Sequence, residues 1–265
     1  MLNAAVGSHL RSGSAPSRRC AQKALAMLVA LAGLATAPTA AADNLAEARD
    51  HLVEQVVEHA RLAAPLTGRQ ELDPAVLDAI GALPRHLFVE SEVAPFAYLD
   101  VPLPAEHGLR ESQPYIVALM TDVAAIEPGN QVLILGVGGG YHAALVRELE
   151  AEVYSVDLDA QAVDSVAARL EEQDYGDIQL RAADPYDGWP ELDRQFDAII
   201  VRLAIDRVPP MLYRQLAPGG RLVAPIGHGD DGQILTLVTR GTDDSFASTP
   251  ILPVRFMRLP GGERL

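Results

Sequence analysis

The sequence predicts an α/β fold: a mostly parallel β-sheet with helices on both faces, an antiparallel pair of strands at one edge and a helical addition at the N-terminus. Three observations carry this. Strand-like and helix-like stretches alternate from Pro114 onward. The strand-like runs, QVLIL at 131–135 and FDAIIV at 196–201 among them, are almost wholly apolar, as strands covered on both faces are. Between the first of these runs and the helical stretch after it stands a glycine-rich turn, Gly136-Val137-Gly138-Gly139-Gly140.

Each element can be justified in order. Over residues 44–62 apolar side chains recur at helical spacing (Leu45, Leu52, Val56, Leu62), and Asp73 followed by Pro74 marks the cap and first turn of a second helix that ends before Pro84. Residues 83–114 are punctuated by proline and lack periodicity, the composition of a loop that lines a site. Pro114, at a first helical position, opens a helix through residue 126; PGN turns it into the strand at 131–135. A helix follows the glycines, then a strand at 152–157, an amphipathic helix at 159–173, strands at 178–184 and 196–201, a short helix at 209–216 and a strand at 220–226. The last two strands, 233–240 and 251–259, have no helix between them and are expected to pair as an antiparallel edge hairpin. The domain plan is therefore a leader at 1–42, a helical and loop lead-in at 43–114 and a sheet core at 115–265.

Composition narrows the function classes. The chain has 265 residues and a formal charge of −15, and Arg11, Arg18, Arg19 and Lys23 all lie in an N-terminal stretch of 42 residues that has no acid. Without that stretch the charge is −19 and no lysine remains. Such a surface repels phosphate backbones, so nucleic acid is not an expected partner; solubility in high salt is the alternative use of the charge. The single cysteine, Cys20, lies in the same stretch, which excludes disulfides and a cysteine nucleophile from the remainder. The seven histidines (His9, His51, His59, His86, His107, His142, His228) lack metal-ligand spacing, and no metal is expected. A basic segment, an apolar run at 24–37 too short to span a bilayer, and small residues before Asp43 form a secretory leader cut after Ala42. Export to the periplasm is the expectation, with Arg18-Arg19 pointing to the route that carries folded proteins. A start near Asn44 would instead leave a cytoplasmic protein.

Glycines at a strand-to-helix turn let a cofactor approach the backbone. A dinucleotide fingerprint needs Gly or Ala where Tyr141 stands, and no Lys-Ser or Lys-Thr pair follows to make a phosphate loop. The spacing G-x-G-x-G, with Asp157 ending the next strand 21 residues beyond Gly136, fits the class I, Rossmann-like methyltransferases that use S-adenosylmethionine (SAM), whose ribose hydroxyls an acid at that place can bind. The stretch at 216–227, LAPGGRLVAPIG, resembles a later helix-turn-strand of such domains.

PRHLFV at 84–89 and SQPYIVALMT at 112–121, joined in order by GYHAALVREL, VYSVD, FDAIIV and PGGRLV, resemble the protein-L-isoaspartate O-methyltransferases, and the likeness covers residues 44–265. The resemblance implies esterification of the α-carboxylate of L-isoaspartyl residues in damaged proteins, a first step of repair through a succinimide. It implies that Gly136, Gly138 and Gly140 cradle the methionine and ribose part of SAM, that Asp157 holds the ribose, that Asp184 sits beside the adenine and that Gln233 lies near the cofactor's amino-acid end. Ser112 matches the family's active-site serine, and Gly108, Arg110 and Arg202 join it as candidate substrate-binding residues. Ser112 also reads as a helix N-cap two residues before Pro114, and both roles are compatible.

The chain departs from the family pattern around both ligands. GLRESQP replaces the usual GQTISQP, which brings Leu109, Arg110 and Glu111, and VRLAID replaces VTAAAP, which brings Arg202, Leu203, Ile205 and Asp206. Ile134 stands for an acid in the first strand, and Pro185 for a glycine after Asp184. Glu111 would repel an incoming carboxylate unless Arg110 compensates it, and Arg202 is a candidate carboxylate clamp. Two classes of function follow: an active carboxyl methyltransferase, for isoaspartyl proteins or for a small molecule, and an exported relative that has lost catalysis and serves as a binding domain.

Overall fold

The computed structural model describes residues 45–191, 193–227 and 232–260. The expected leader, with Cys20, Lys23 and the Arg18-Arg19 pair, lies outside the described residues, as does His228.

Helix α1 spans Leu45–Thr67 and buries Ala48, Leu52, Val56 and Ala60. This strict four-residue repeat leaves out Leu62, which the periodicity had included: two residues beyond Ala60 it lies about 200° round the helix and is 70% exposed. Helix α2, Pro74–Ala82, starts as the sequence indicates, with Asp73 accepting the Ala75 N–H at 2.8 Å. Asp122 ties the connection between α1 and α2 to helix α3, Pro114–Ala124, by accepting the Asp73 N–H at 2.9 Å and pairing with Arg69. The loop before α3 contains short 3-10 turns and one two-residue ladder, β1 (Leu103–Pro104) against β2 (Arg110–Glu111).

The main sheet has seven strands: β3 Gln131–Leu135, β4 Glu152–Asp157, β5 Gln179–Ala182, β6 Phe196–Val201, β7 Leu216–Ile226, β8 Gln233–Arg240 and β9 Phe246–Val254. Their order is β5-β4-β3-β6-β7-β8-β9. The first five run parallel and the last two antiparallel, so the expected hairpin closes one edge. Several boundaries differ from the sequence reading, the starts of β7 and β9 among them. β7 begins at Leu216 because the Leu216-Ala217-Pro218-Gly219 segment enters the ladder through a register shift opposite Phe196 and Ala198. β9 begins at Phe246, where its polar start already pairs with Arg240.

Alternate residues of β3 face opposite layers, as the strand period requires. Val132 and Ile134 join Ala198, Ile200 and Val223 under α1, α2, α3 and two further helices, α4 (Tyr141–Glu148) and α5 (Ala160–Glu172). Leu133 and Leu135 join Ile199, Val201 and Leu222 on the other face, covered by Trp189, Tyr186 and the short helix α6, Pro210–Gln215. Among the described residues helices therefore flank both faces, five against one. The lead-in helices share one apolar cluster with the sheet, so the loop between them is held over the carboxyl ends of the parallel strands.

Candidate active site

The site grows from the ends of β3, β4 and β5. The Gly136 N–H continues the ladder to Val156 O at 2.8 Å, and the chain then turns with Gly136 at φ 97° and Gly140 at φ 98°, a left-handed backbone that glycine adopts without strain. Asp157, at the end of β4, accepts the Val137 N–H at 3.0 Å through one oxygen and the Asp159 N–H at 3.3 Å through the other. A carboxylate has four acceptor sites, so capacity for two hydroxyls remains. The Ala183 N–H reaches Asp157 O at 3.0 Å, which sets Asp184 beside it; Asp184 accepts the Tyr186 N–H at 3.0 Å, and Pro185 takes the first position of the 3-10 turn that follows. Sequence reasoning passed over Leu158, an apolar side chain 44% exposed next to Asp157. Its signal was its place directly after the strand-ending acid.

All five residues of the turn, 136–140, are buried, and protein atoms do the burying. A Cβ on Gly138 would collide with the Arg202 guanidinium, and one on Gly139 with Phe88 O. Arg202 lies just past the end of β6, and it donates to Gly136 O at 3.0 Å, to Arg110 O at 3.3 Å and to Glu111 Oε2 at 2.9 Å. Glu111, fully buried, accepts the Gly139 N–H at 2.5 Å and the Tyr141 N–H at 3.4 Å with its other oxygen. Two departures that lie 91 residues apart in the chain thus meet as one buried ion pair. The expectation for Arg110 is corrected here: its side chain is exposed, and Arg202 neutralises Glu111 instead. The clamp formed by Arg202 closes on a carboxylate of its own chain. Glu111 also places its negative charge at the amino end of α4, where the helix dipole favours it.

Arg85, from the PRHLFV stretch, is fully buried and organises the loop. Its two terminal nitrogens donate to the carbonyls of Ala97 (2.7 Å), Leu99 (3.2 Å), Val101 (2.9 Å) and Ser112 (3.1 Å), and the guanidinium lies 5.8 Å from the centre of the Tyr141 ring. Burial pulls its pKa below the usual arginine value, opposed by Tyr141 and Glu111 nearby. Ser112 is thereby fixed through its backbone, and its hydroxyl makes no hydrogen bond among the described residues. The cap expected of that hydroxyl is supplied otherwise: Gln113 holds the N-cap position without a side-chain bond, and Asp100 accepts the Tyr115 N–H at 2.8 Å. Gly108, at φ 71°, is exposed in open space at the loop tip. Beside it Glu106 binds α5, accepting from Ser165 Oγ at 2.6 Å and from Arg169 at 2.8 Å, while Arg169 also donates to Gly139 O at 3.2 Å. The Ser165 hydrogen bond and then Arg169 hold the Glu106 carboxyl below its ordinary range.

Under the turn, Tyr141 is buried edge-on against Phe88, with ring centres 5.7 Å apart, and burial raises its pKa. His142 is fully buried; its Nε2 lies 3.0 Å from the hydroxyl of Thr121, which itself donates to Val117 O, so Nε2 carries the hydrogen. Burial, and then the nearby Arg202, hold His142 well below the usual histidine pKa, in its neutral form. Gln233 stands apart from this group. At the start of β8, three strands from β3, its amide donates to Phe256 O at 3.0 Å and accepts the Phe256 N–H at 2.6 Å, so it fastens the segment after β9 and does not reach the glycine turn.

Comparisons with known proteins give the family. The sequence profile of a family described as protein-L-isoaspartate(D-aspartate) O-methyltransferase matches residues 60–264. A protein-L-isoaspartate O-methyltransferase 1 of Cupriavidus necator is 42% identical over 239 residues, covering 89% of this chain and 92% of the relative. One from Opitutus terrae is 41% identical over 233 residues, covering 88% and 95%. Among solved structures, a protein-L-isoaspartate O-methyltransferase superposes with a TM-score of 0.70 at 25% identity, over 81% of this chain and 66% of that one, just under two thirds of its length. A Plasmodium falciparum protein described as a relative of the same kind, solved in complex with S-adenosyl-L-homocysteine, shares the fold with a TM-score of 0.63 at 19% identity.

Proposed function

Because the chain belongs to the protein-L-isoaspartate(D-aspartate) O-methyltransferase family, we propose that it transfers a methyl group from SAM to the free carboxylate of L-isoaspartyl residues in damaged proteins. The observation that carries this for the chain itself is the seat of the Ser112 segment. Glu111, the residue before Ser112, is bonded directly to the Gly139 amide of the turn, so the serine and the cofactor cradle are neighbours.

The residues fit the cofactor at its ribose end. Asp157 has acceptor capacity for two hydroxyls, and exposed Leu158 offers an apolar face for the base, with Asp184 alongside. When bound, SAM supplies a sulfonium-activated methyl group. The nucleophile is already ionised at neutral pH, with a carboxyl pKa of roughly 4, so no general base is needed. What the chain must do is position the carboxylate and keep water out. On this reading Ser112 Oγ donates one hydrogen bond to the carboxylate oxygen that does not react, and the buried turn excludes solvent. Arg85 holds the Ser112 backbone in place through its carbonyl.

A second reading, a methyltransferase-fold binding domain without catalysis, is favoured by one observation: Glu111 and Arg202 already take polar backbone groups of the turn. Incubating the full chain with methyl-labelled SAM and an isoaspartyl peptide, beside its aspartyl counterpart, separates the two. Label in the isoaspartyl peptide alone is the expected result, reduced at least about tenfold in Ser112→Ala. Label in neither peptide, with S-adenosylhomocysteine still bound, would leave only the binding domain. Export to the periplasm belongs to the same proposal, supported by the basic and apolar pattern of residues 1–42; cell fractionation that finds only uncleaved cytoplasmic protein would overturn it. No helix among the described residues is long and apolar enough to cross a membrane.

A further inference from the structure

The cofactor cradle is shut by the chain's own charges. Every residue of the turn is buried; Phe88 O, Leu203, Val166 and Leu170 pack on it, and the charged groups bonded to its backbone are Glu111, from segment 105–112, Arg202 and Arg169. Two carboxylates of that segment hold it down. Glu111 grips the turn from within, on the Gly139 and Tyr141 amides and on Arg202. Glu106 grips α5 from outside, on Ser165 and Arg169, and Arg169 in turn reaches Gly139 O. The amino-acid end of SAM is a zwitterion, an ammonium beside a carboxylate. Arg202 and Glu111 present the turn with the same pair of charges: a cation on Gly136 O and an anion on the amides at the start of α4.

We propose that segment 105–112 is a gate over the cofactor site, latched by Glu106 and Glu111, and that Glu111 with Arg202 competes with the cofactor's amino-acid end for the turn. The inference rests on the cofactor reading above. The closed state is poised, not locked. Arg202 Nε is buried without a hydrogen-bond partner among the described residues, a cost that opening to water relieves. The outer latch is an ion pair whose Glu106 side chain is 48% exposed, a kind of contact that contributes little. The tip carries the positive-φ residues His107 and Gly108 between the two latches, where the backbone changes direction.

A ligand that binds only the open form loses affinity by the fraction of time the gate is closed. Removing a latch must therefore tighten binding, the reverse of what removing a merely structural contact does. The probe is S-adenosylhomocysteine, titrated calorimetrically into the full chain and into Glu106→Gln and Glu111→Gln, with folding of each checked by circular dichroism. Glu106→Gln, at a partly exposed site that folding tolerates, is expected to lower Kd by about two- to fivefold, the weight of one exposed ion pair. Glu111→Gln is expected to lower it further. An unchanged or raised Kd in Glu106→Gln would overturn the gate while leaving the cofactor reading intact. No binding by the wild type or by either variant would overturn the cofactor reading, and the gate with it.

Discussion

Arg85 does more for the site than its sequence position indicates. It touches neither ligand site directly, yet one guanidinium collects four carbonyls from residues 97–112, and those bonds determine where Ser112 lies. Replacing it by leucine leaves buried carbonyls without donors, and a loss of about 2–4 kcal/mol in urea denaturation is expected. Hydrogen exchange should rise across 97–112 before it rises in the sheet; uniform exchange would show that the guanidinium does not organise the loop. Asp157 acts differently. Asp157→Ala keeps the fold but removes the ribose acceptor, so affinity for S-adenosylhomocysteine should fall at least about tenfold by calorimetry, and unchanged affinity would remove it from the site. Asp157 could be singled out in the sequence because the role proposed for it follows from a fixed distance after a glycine turn. Arg85 could not, because a guanidinium shows which carbonyls it serves only once the chain has folded. The same holds for Glu111 and Arg202: each was visible as a departure, but their pairing is a contact across 91 residues.

At the level of elements, α3 and α4 meet under the turn through His142 and Thr121. Burial keeps His142 neutral in the folded protein, and His86 is shifted the same way, by burial and then by Arg49. In the unfolded chain both titrate near about 6.5. Between that pH and their lower folded values the unfolded state binds more protons, so stability rises with pH. The stabilisation is complete above about pH 6.5 and is lost as pH falls below it. Urea midpoints measured from pH 7.5 down to about pH 5 should therefore decline, and His142→Gln should flatten the slope; an equal slope in wild type and variant would place the proton uptake elsewhere. Helix starts were legible because Asp73, Pro74 and Pro114 act on the backbone next to them. The cap of α3 was not. Its acceptor, Asp100, comes from 15 residues before Tyr115, where sequence pointed to Ser112.

On the scale of the whole molecule, the parallel run of β3 to β7 and the antiparallel edge follow from apolar runs and from the missing helix before β9, both local patterns, whereas the order β5-β4-β3-β6-β7 does not. Less legible was the unequal cover of the sheet, with five helices on one face and α6 with Trp189 on the other, because amphipathic helices do not announce the face they choose. The closure over the turn is likewise a property of the assembled fold. It leaves one central claim, that this architecture esterifies isoaspartyl carboxylates. The most direct test follows an isoaspartyl peptide by mass spectrometry while the full chain acts on it with SAM. A methyl ester at the isoaspartyl residue, then a succinimide, then normal aspartyl peptide is the predicted course, with the aspartyl control untouched. Equal methylation of both peptides, or of neither, would contradict it.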